Sequence, residues 1–128
     1  SGEEVAKLLN EDPTIVFKTL VTIGKSNNHY VFLVPVNSEL DLKKAASAVN
    51  EKSIEMIKSK DLLPLTGYIH GGCSPIGMKK FFTTTIDISA NDKEKIIFSG
   101  GKIGLQIETT LLELSKVIKF SLNDIKKI

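Results

Sequence analysis

The sequence predicts a mixed α+β domain: six to seven short strands form a curved sheet or partly closed barrel, with about three flanking helices. Three observations carry this reading. Runs rich in β-branched and aromatic residues recur along the chain. Glycine, proline and asparagine clusters punctuate them, and few windows show apolar residues at helical spacing.

In chain order, Glu3 to Leu9 reads as a short helix, with Glu3 and Glu4 at the positive end of its dipole and Pro13 closing the region. Thr14 to Ile23 is a strand by composition, Gly24 to Asn28 a turn, and Tyr30 to Val36 a second strand, which together make a hairpin. Asp41 suits a helix N-cap, and Leu42, Ala45, Ala46 and Val49 share one face of the helix that follows. Ile54 to Ile57 and Thr66 to Ile69 read as short strands separated by a polar turn and Pro64. Phe81 to Ile88 alternates, with Phe82, Thr84, Ile86 and Ile88 on one side. Ile96 to Phe98 and Leu105 to Glu108 are further strands around a glycine cluster. Thr110 and Glu113 then have capping-box spacing ahead of a face made of Leu111, Leu114, Val117 and Ile118.

Composition narrows the function classes. The 128 residues fit one domain, since domains typically run about 100–150 residues. One cysteine permits no internal disulfide, and no apolar stretch reaches the roughly 18 residues of a membrane helix. With no visible signal peptide, the expected setting is the cytoplasm, with no membrane partner. The 17 basic residues against 15 acidic ones are all lysines. Phosphate contacts must therefore come from point charges, backbone N–H groups or hydroxyls, and arginine-based reading of DNA is not expected.

Three segments could carry chemistry. Lys18 sits inside the apolar run Ile15 to Val21, on the same face as Val16 and Leu20. It is either an edge-strand lysine that discourages aggregation or a cation aimed into a cleft. The segment Gly71-Gly72-Cys73-Ser74-Pro75-Ile76-Gly77-Met78-Lys79-Lys80 has the glycines of an anion-binding nest. It fails as a nucleotide-triphosphate loop, because Met78 stands at the lysine position and Pro75 lacks an N–H. A plain turn between strands is the alternative. Ser99-Gly100-Gly101-Lys102-Ile103-Gly104 opens no helix, so it is no dinucleotide fingerprint. Two glycine loops in so short a chain suggest one shared cleft.

Cys73 and His70 lack a third group to orient the histidine, so an inert buried thiol is expected. One cysteine and two histidines fall short of a structural zinc site, and no metal or cofactor is expected. Lys43 and Lys44 read as a solvated helix face, with a weak phosphate contact as the functional alternative.

Taken together, Phe17-Lys18-Thr19-Leu20, Gly71 through Lys80 and Ser99 through Leu105 resemble the YbaK family, in the same order and at similar intervals. The likeness runs from about Glu3 to the end of the chain, so residues 1–128 read as a single YbaK-like editing domain. Family members usually begin with a further helix and strand that have no counterpart here. The resemblance implies a trans-editing deacylase that removes cysteine mischarged on tRNA(Pro), with prolyl-tRNA synthetase as a candidate second partner. Cysteine and proline differ too little for a synthetase pocket to separate fully, so a second hydrolytic check is useful.

By the same resemblance, Lys18 anchors the terminal adenosine and phosphate, and Gly71 and Gly72 present N–H groups to the ester. Thr19, Cys73, Ser74, Pro75, Ser99, Gly100, Gly101 and Gln106 line the substrate cleft, while Lys43, Lys44, Lys79 and Lys80 offer weak tRNA phosphate contacts. The substrate's own thiol is the implied nucleophile. Two positions depart from the family pattern: Gln106 stands where some relatives have aspartate, and Ile103 where they have arginine. The alternatives are a non-catalytic module that holds a tRNA 3′ end, nucleotide or synthetase, and a deacylase for another amino acid such as alanine.

Overall fold

The computed structural model describes Glu3, Lys7 and residues 10–128. Apart from Glu3 and Lys7, the helix expected over Glu3 to Leu9 lies outside the described residues. The first hairpin joins β1 (Phe17–Gly24) to β2 (His29–Pro35), in register from Phe17 opposite Pro35 to Ile23 opposite His29. Its turn places Asn27 at φ 74°, a left-handed conformation that asparagine tolerates well. Glu51 secures the hairpin from outside, accepting hydrogen bonds from the Ser26 N–H at 3.1 Å and the Tyr30 hydroxyl at 2.6 Å.

Helix α1 (Leu42–Ala48) starts where Asp41 accepts hydrogen bonds from the Lys43 and Lys44 N–H groups. Strand β3 (Ile54–Met56) then pairs antiparallel with the last three residues of β1. Next come α2 (Ser59–Thr66), β4 (Thr83–Asp87), a 3₁₀ turn (Ile88–Asp92), β5 (Ile96–Ser99), β6 (Gln106–Thr109), α3 (Leu111–Ser115) and β7 (Ser121–Asn123). The main sheet has five strands in the order β3-β1-β2-β4-β7, antiparallel across β1 and parallel from β2 outward. β5 and β6 form a separate antiparallel pair, joined to the main sheet by a parallel bridge between Val16 and Ile97. The result is a mixed α+β architecture whose sheet stays open.

Both faces of the main sheet are covered, which is why β2 reads as an unbroken apolar run rather than an alternating one. On one face Val21, Val31, Leu33 and Ile86 pack with Phe98 and Leu114. On the other, Phe32 and Val34 meet Ala45 and Ala46 of α1 and Ile125 near the C-terminal end.

Several local expectations need correction. Thr66 to Ile69 is not a strand: Ser59–Thr66 is helical with Pro64 inside it. The helix ends at Gly67, φ 86°, whose N–H donates to the Leu63 carbonyl. Thr66 spends its hydroxyl on this turn, donating to the Leu62 carbonyl at 2.8 Å and accepting from the Tyr68 N–H at 3.0 Å. Local capping thus overrides β-branched propensity. Ile88 does not continue the β4 face; it opens the 3₁₀ turn and is 46% exposed. Val117 is exposed as well, beyond the end of α3. The capping box is half made: the Thr110 hydroxyl accepts from the Glu113 N–H, but the Glu113 carboxylate pairs with Lys116.

β7 and the 3₁₀ turn had no sequence signal; Asp87 caps the turn and ties down the segment that follows β7. This fully buried carboxylate accepts N–H bonds from Ser89 at 3.0 Å, Ile125 at 3.0 Å and Lys126 at 3.1 Å. Burial alone would raise its pKa, but the amide donors outweigh that and hold it below the ordinary carboxylate range.

Candidate functional site

The site follows from a mismatch in strand length. β1 has eight residues, yet β3 covers only Thr22 to Gly24, so the first half of β1 borders a gap. A cavity of about 680 Å³ opens there. Phe17, Lys18, Thr19, Leu20 and Val21 form its floor, and Met56, Ile57, Lys58, Ser59 and Leu62 form one wall. The facing wall comes from both glycine-bearing segments, through His70, Gly71 and Cys73 on one side and Ser99, Ile103 and Gln106 on the other.

Lys18, Gly71 and Ser99, far apart in the chain, therefore border one space. Lys18 is half-buried on β1 opposite Val34. Among the described residues, no carboxylate lines the cavity, while two ammonium groups, Lys18 and Lys58, do. Such a lining favours an anion. Apolar side chains such as Met56, Ile57 and Leu62 supply the rest of that wall and limit water.

The other anticipated positions divide by place. Thr19, Cys73 and Gln106 line the cavity, whereas Gly72, Ser74, Pro75, Gly100 and Gly101 are not among its lining residues. The Gly72 N–H is already committed to the Ile69 carbonyl at 3.0 Å, which leaves Gly71 as the available donor of that pair. Gly71 itself has φ 85°, a conformation suited to glycine. Ser74 is buried, its hydroxyl accepting from the Ile76 N–H at 3.2 Å. Lys43, Lys44, Lys79 and Lys80 are not among the lining residues. The Lys44 ammonium is held by Asp124 and the Lys126 carbonyl, and Lys79 lays its stem along Gly67.

Sequence reasoning missed four contributors. Lys58 and the apolar wall that begins at the end of β3 carried no motif, since their role depends on how α2 is placed beside β1. His70, which pairs with Cys73 in sequence and falls short of a zinc site, borders the cavity itself. Tyr68 wedges between the two glycine loops: its hydroxyl donates to the Ile76 carbonyl, and its ring lies where a Cβ on Gly101 would approach to 3.1 Å. Burial, followed by the neighbouring Cys73, raises the Tyr68 pKa.

The Cys73 thiol is pushed up to about 11 by burial, so it stays protonated near neutral pH and is a poor nucleophile. Among the described residues no three His, Cys, Asp or Glu side chains converge as a metal site would require. No helix among them is long and apolar enough to cross a membrane.

An open mixed sheet with a lysine-bordered cavity at a strand edge defines a small α+β domain. Residues 1–117 match the sequence model of the aminoacyl-tRNA editing domain, and the chain belongs to that family. It is 51% identical over 108 residues to an Enterococcus faecalis protein named "Putative Cys-tRNA(Pro)/Cys-tRNA(Cys) deacylase EbsC". That match takes in 84% of this chain and 66% of the relative, so the chain spans just under two thirds of that protein's length. Two crystal structures share the fold. One, "a putative trans-editing enzyme for prolyl tRNA synthetase", has a TM-score of 0.88 at 24% identity, covering all of this chain and 80% of the other. The second, hypothetical protein APE2540, has a TM-score of 0.90 at 20% identity, covering 99% and 84%.

Proposed function

We propose that this chain is an aminoacyl-tRNA deacylase that releases cysteine wrongly attached to tRNA(Pro), acting in trans in the cytoplasm. The observation that carries the reading is the convergence of Lys18, Gly71 and Ser99 on one cavity bordered, among the described residues, by two ammonium groups and no carboxylate. Family membership and the name given to the E. faecalis relative point the same way.

In this reading the Lys18 ammonium holds the phosphate and ribose of the terminal adenosine as a point charge. The Gly71 N–H faces the ester carbonyl, where negative charge develops during attack. Ser99 and Gln106 form the polar wall, and the apolar wall shields the reacting ester. The nucleophile is the substrate's thiol. Its sulfur bonds to the carbonyl carbon, the bond from that carbon to the ribose oxygen breaks, and the thiol proton ends on the ribose hydroxyl. The product is a thiolactone, which water opens to cysteine. Such a route requires no protein nucleophile, in keeping with the protonated state of Cys73. Prolyl-tRNA synthetase is the natural second partner, since it generates the substrate.

A deacylation panel on tRNA(Pro) carrying cysteine, alanine or proline tests the reading. Cysteine is released and proline retained; preferential release of alanine would reassign the specificity, and binding without turnover would make the chain a holding module. Lys18→Ala is expected to reduce kcat/KM at least a hundred-fold with the fold intact, and full activity in that variant would sink the role given to Lys18.

A further inference from the structure

Thr19 occupies a peculiar place in the main sheet. The Gly24 N–H bonds the Asn28 carbonyl at 2.8 Å, and the Val36 N–H bonds the Val16 carbonyl at 2.8 Å. In the antiparallel register of this hairpin, those bonds mark the even-numbered residues of β1 as the ones that exchange hydrogen bonds with β2. Phe17, Thr19, Val21 and Ile23 therefore direct their N–H and C=O groups toward the opposite edge.

That edge is occupied at both ends. Toward the C-terminal end β3 pairs with Thr22 to Gly24, and the Ile57 N–H reaches the Val21 carbonyl at 3.3 Å. Toward the start, the Ile97 N–H bonds the Ile15 carbonyl at 2.9 Å within the Val16–Ile97 bridge. Thr19 lies between, and among the described residues neither its N–H nor its C=O has a hydrogen-bonding partner. Its hydroxyl is buried without a partner too. Backbone groups left unpaired in a half-buried strand are uncommon, and here they border the cavity.

We propose that the main chain of Thr19 binds the amino-acid part of the substrate as a one-residue antiparallel strand. The N–H and C=O of a single strand residue face the same way, spaced to exchange two bonds with one partner residue. The α-ammonium donates to the Thr19 carbonyl, and the ester carbonyl accepts from the Thr19 N–H. The ligand class is an α-aminoacyl ester with a free ammonium group. The contact ignores the side chain, so discrimination between amino acids falls to the cavity walls. N-acylated or peptidyl esters lose the ammonium charge and add bulk against the strand edge, so they are refused. The Thr19 N–H also becomes a second donor, beside Gly71, to the developing oxyanion.

This inference rests on the deacylase reading, and the experiment separates the two. The ¹⁵N-labelled protein is titrated with a non-hydrolysable cysteinyl amide of 3′-amino-3′-deoxyadenosine, with its N-acetyl derivative, and with the nucleoside lacking an amino acid. The cysteinyl compound is expected to shift the amide signals of Gly71, Ser99 and Thr19 and to slow hydrogen exchange at Thr19 about ten-fold or more. The other two leave Thr19 exchange unchanged. If the cysteinyl compound moves Gly71 and Ser99 without protecting Thr19, the strand-pairing proposal is overturned while the deacylase reading survives. If no cavity amide responds, both fall.

Discussion

Gly72 lies so close to Lys102 that a Cβ on the glycine would stand 3.1 Å from the Lys102 Cα. The neighbouring Ile103 nitrogen is within 3.4 Å of the same point, so the two glycine loops meet backbone to backbone. Gly72→Ala must push one loop away, because main-chain atoms cannot rotate aside as a side-chain tip can. We expect a loss of about 1–3 kcal/mol in stability. The deacylation rate should fall further than stability alone explains, since Gly71 and Ser99 separate with the loops. Thermal unfolding with kcat/KM on cysteinyl-tRNA(Pro) checks this, and an unaffected rate would show that loop contact does not position the site.

Asp87 offers a test of how the parallel edge of the sheet is tied to the C-terminal segment. Asp87→Asn keeps one acceptor but leaves part of the Ser89, Ile125 and Lys126 N–H set unmatched. It should cost roughly 1–3 kcal/mol at neutral pH. Because the native pKa is depressed, the wild-type advantage is full above the unfolded value of about 3.9 and fades as pH falls through the native value. Urea unfolding of both proteins at neutral and strongly acidic pH should show their stabilities converging in acid. A gap independent of pH would mean that the carboxylate charge is not what holds the C-terminal segment.

The contrast between the first hairpin and the C-terminal strand explains what the sequence disclosed. β1 and β2 were legible because turn residues and β-branched runs act over a few positions. β7 was not, since Ser121 to Asn123 owe their strand to pairing with Thr85 to Asp87, far earlier in the chain. α2 was misread because Pro64 and Thr66 argue locally against helix, whereas the Gly67 cap and the Thr66 hydroxyl bonds decide for it. The same division holds at the site. Lys18 and the glycine loops announced themselves as motifs, while the Met56 to Leu62 wall depends on α2 packing, which no local pattern encodes.

Cys73 borders the cavity yet should be dispensable for chemistry. Burial keeps its thiol protonated, with a pKa near 11, so alkylation of the folded protein by iodoacetamide should be far slower than for a free thiol. Cys73→Ala removes one buried sulfur from a packed core and should cost about 1 kcal/mol. Most deacylation activity should remain. A dead but folded Cys73→Ala protein would revive a protein-thiol mechanism.

Lys58 is the sharpest probe of whether the cavity's charge binds tRNA. It precedes α2, caps nothing with its side chain, and borders the cavity with Lys18, although its own side chain is exposed. An exposed ammonium acts through a screened field, so Lys58→Ala should raise KM while leaving kcat nearly unchanged. At low ionic strength the loss in kcat/KM should be about three- to ten-fold, shrinking as salt rises, because each phosphate contact contributes to the salt dependence of binding. Lys18→Ala, by contrast, should remain impaired at every salt concentration, since that lysine is half-buried at the floor. Measuring both variants across a salt series separates the two lysines. A salt-independent loss at Lys58 would move it from the electrostatic rim into the reacting centre.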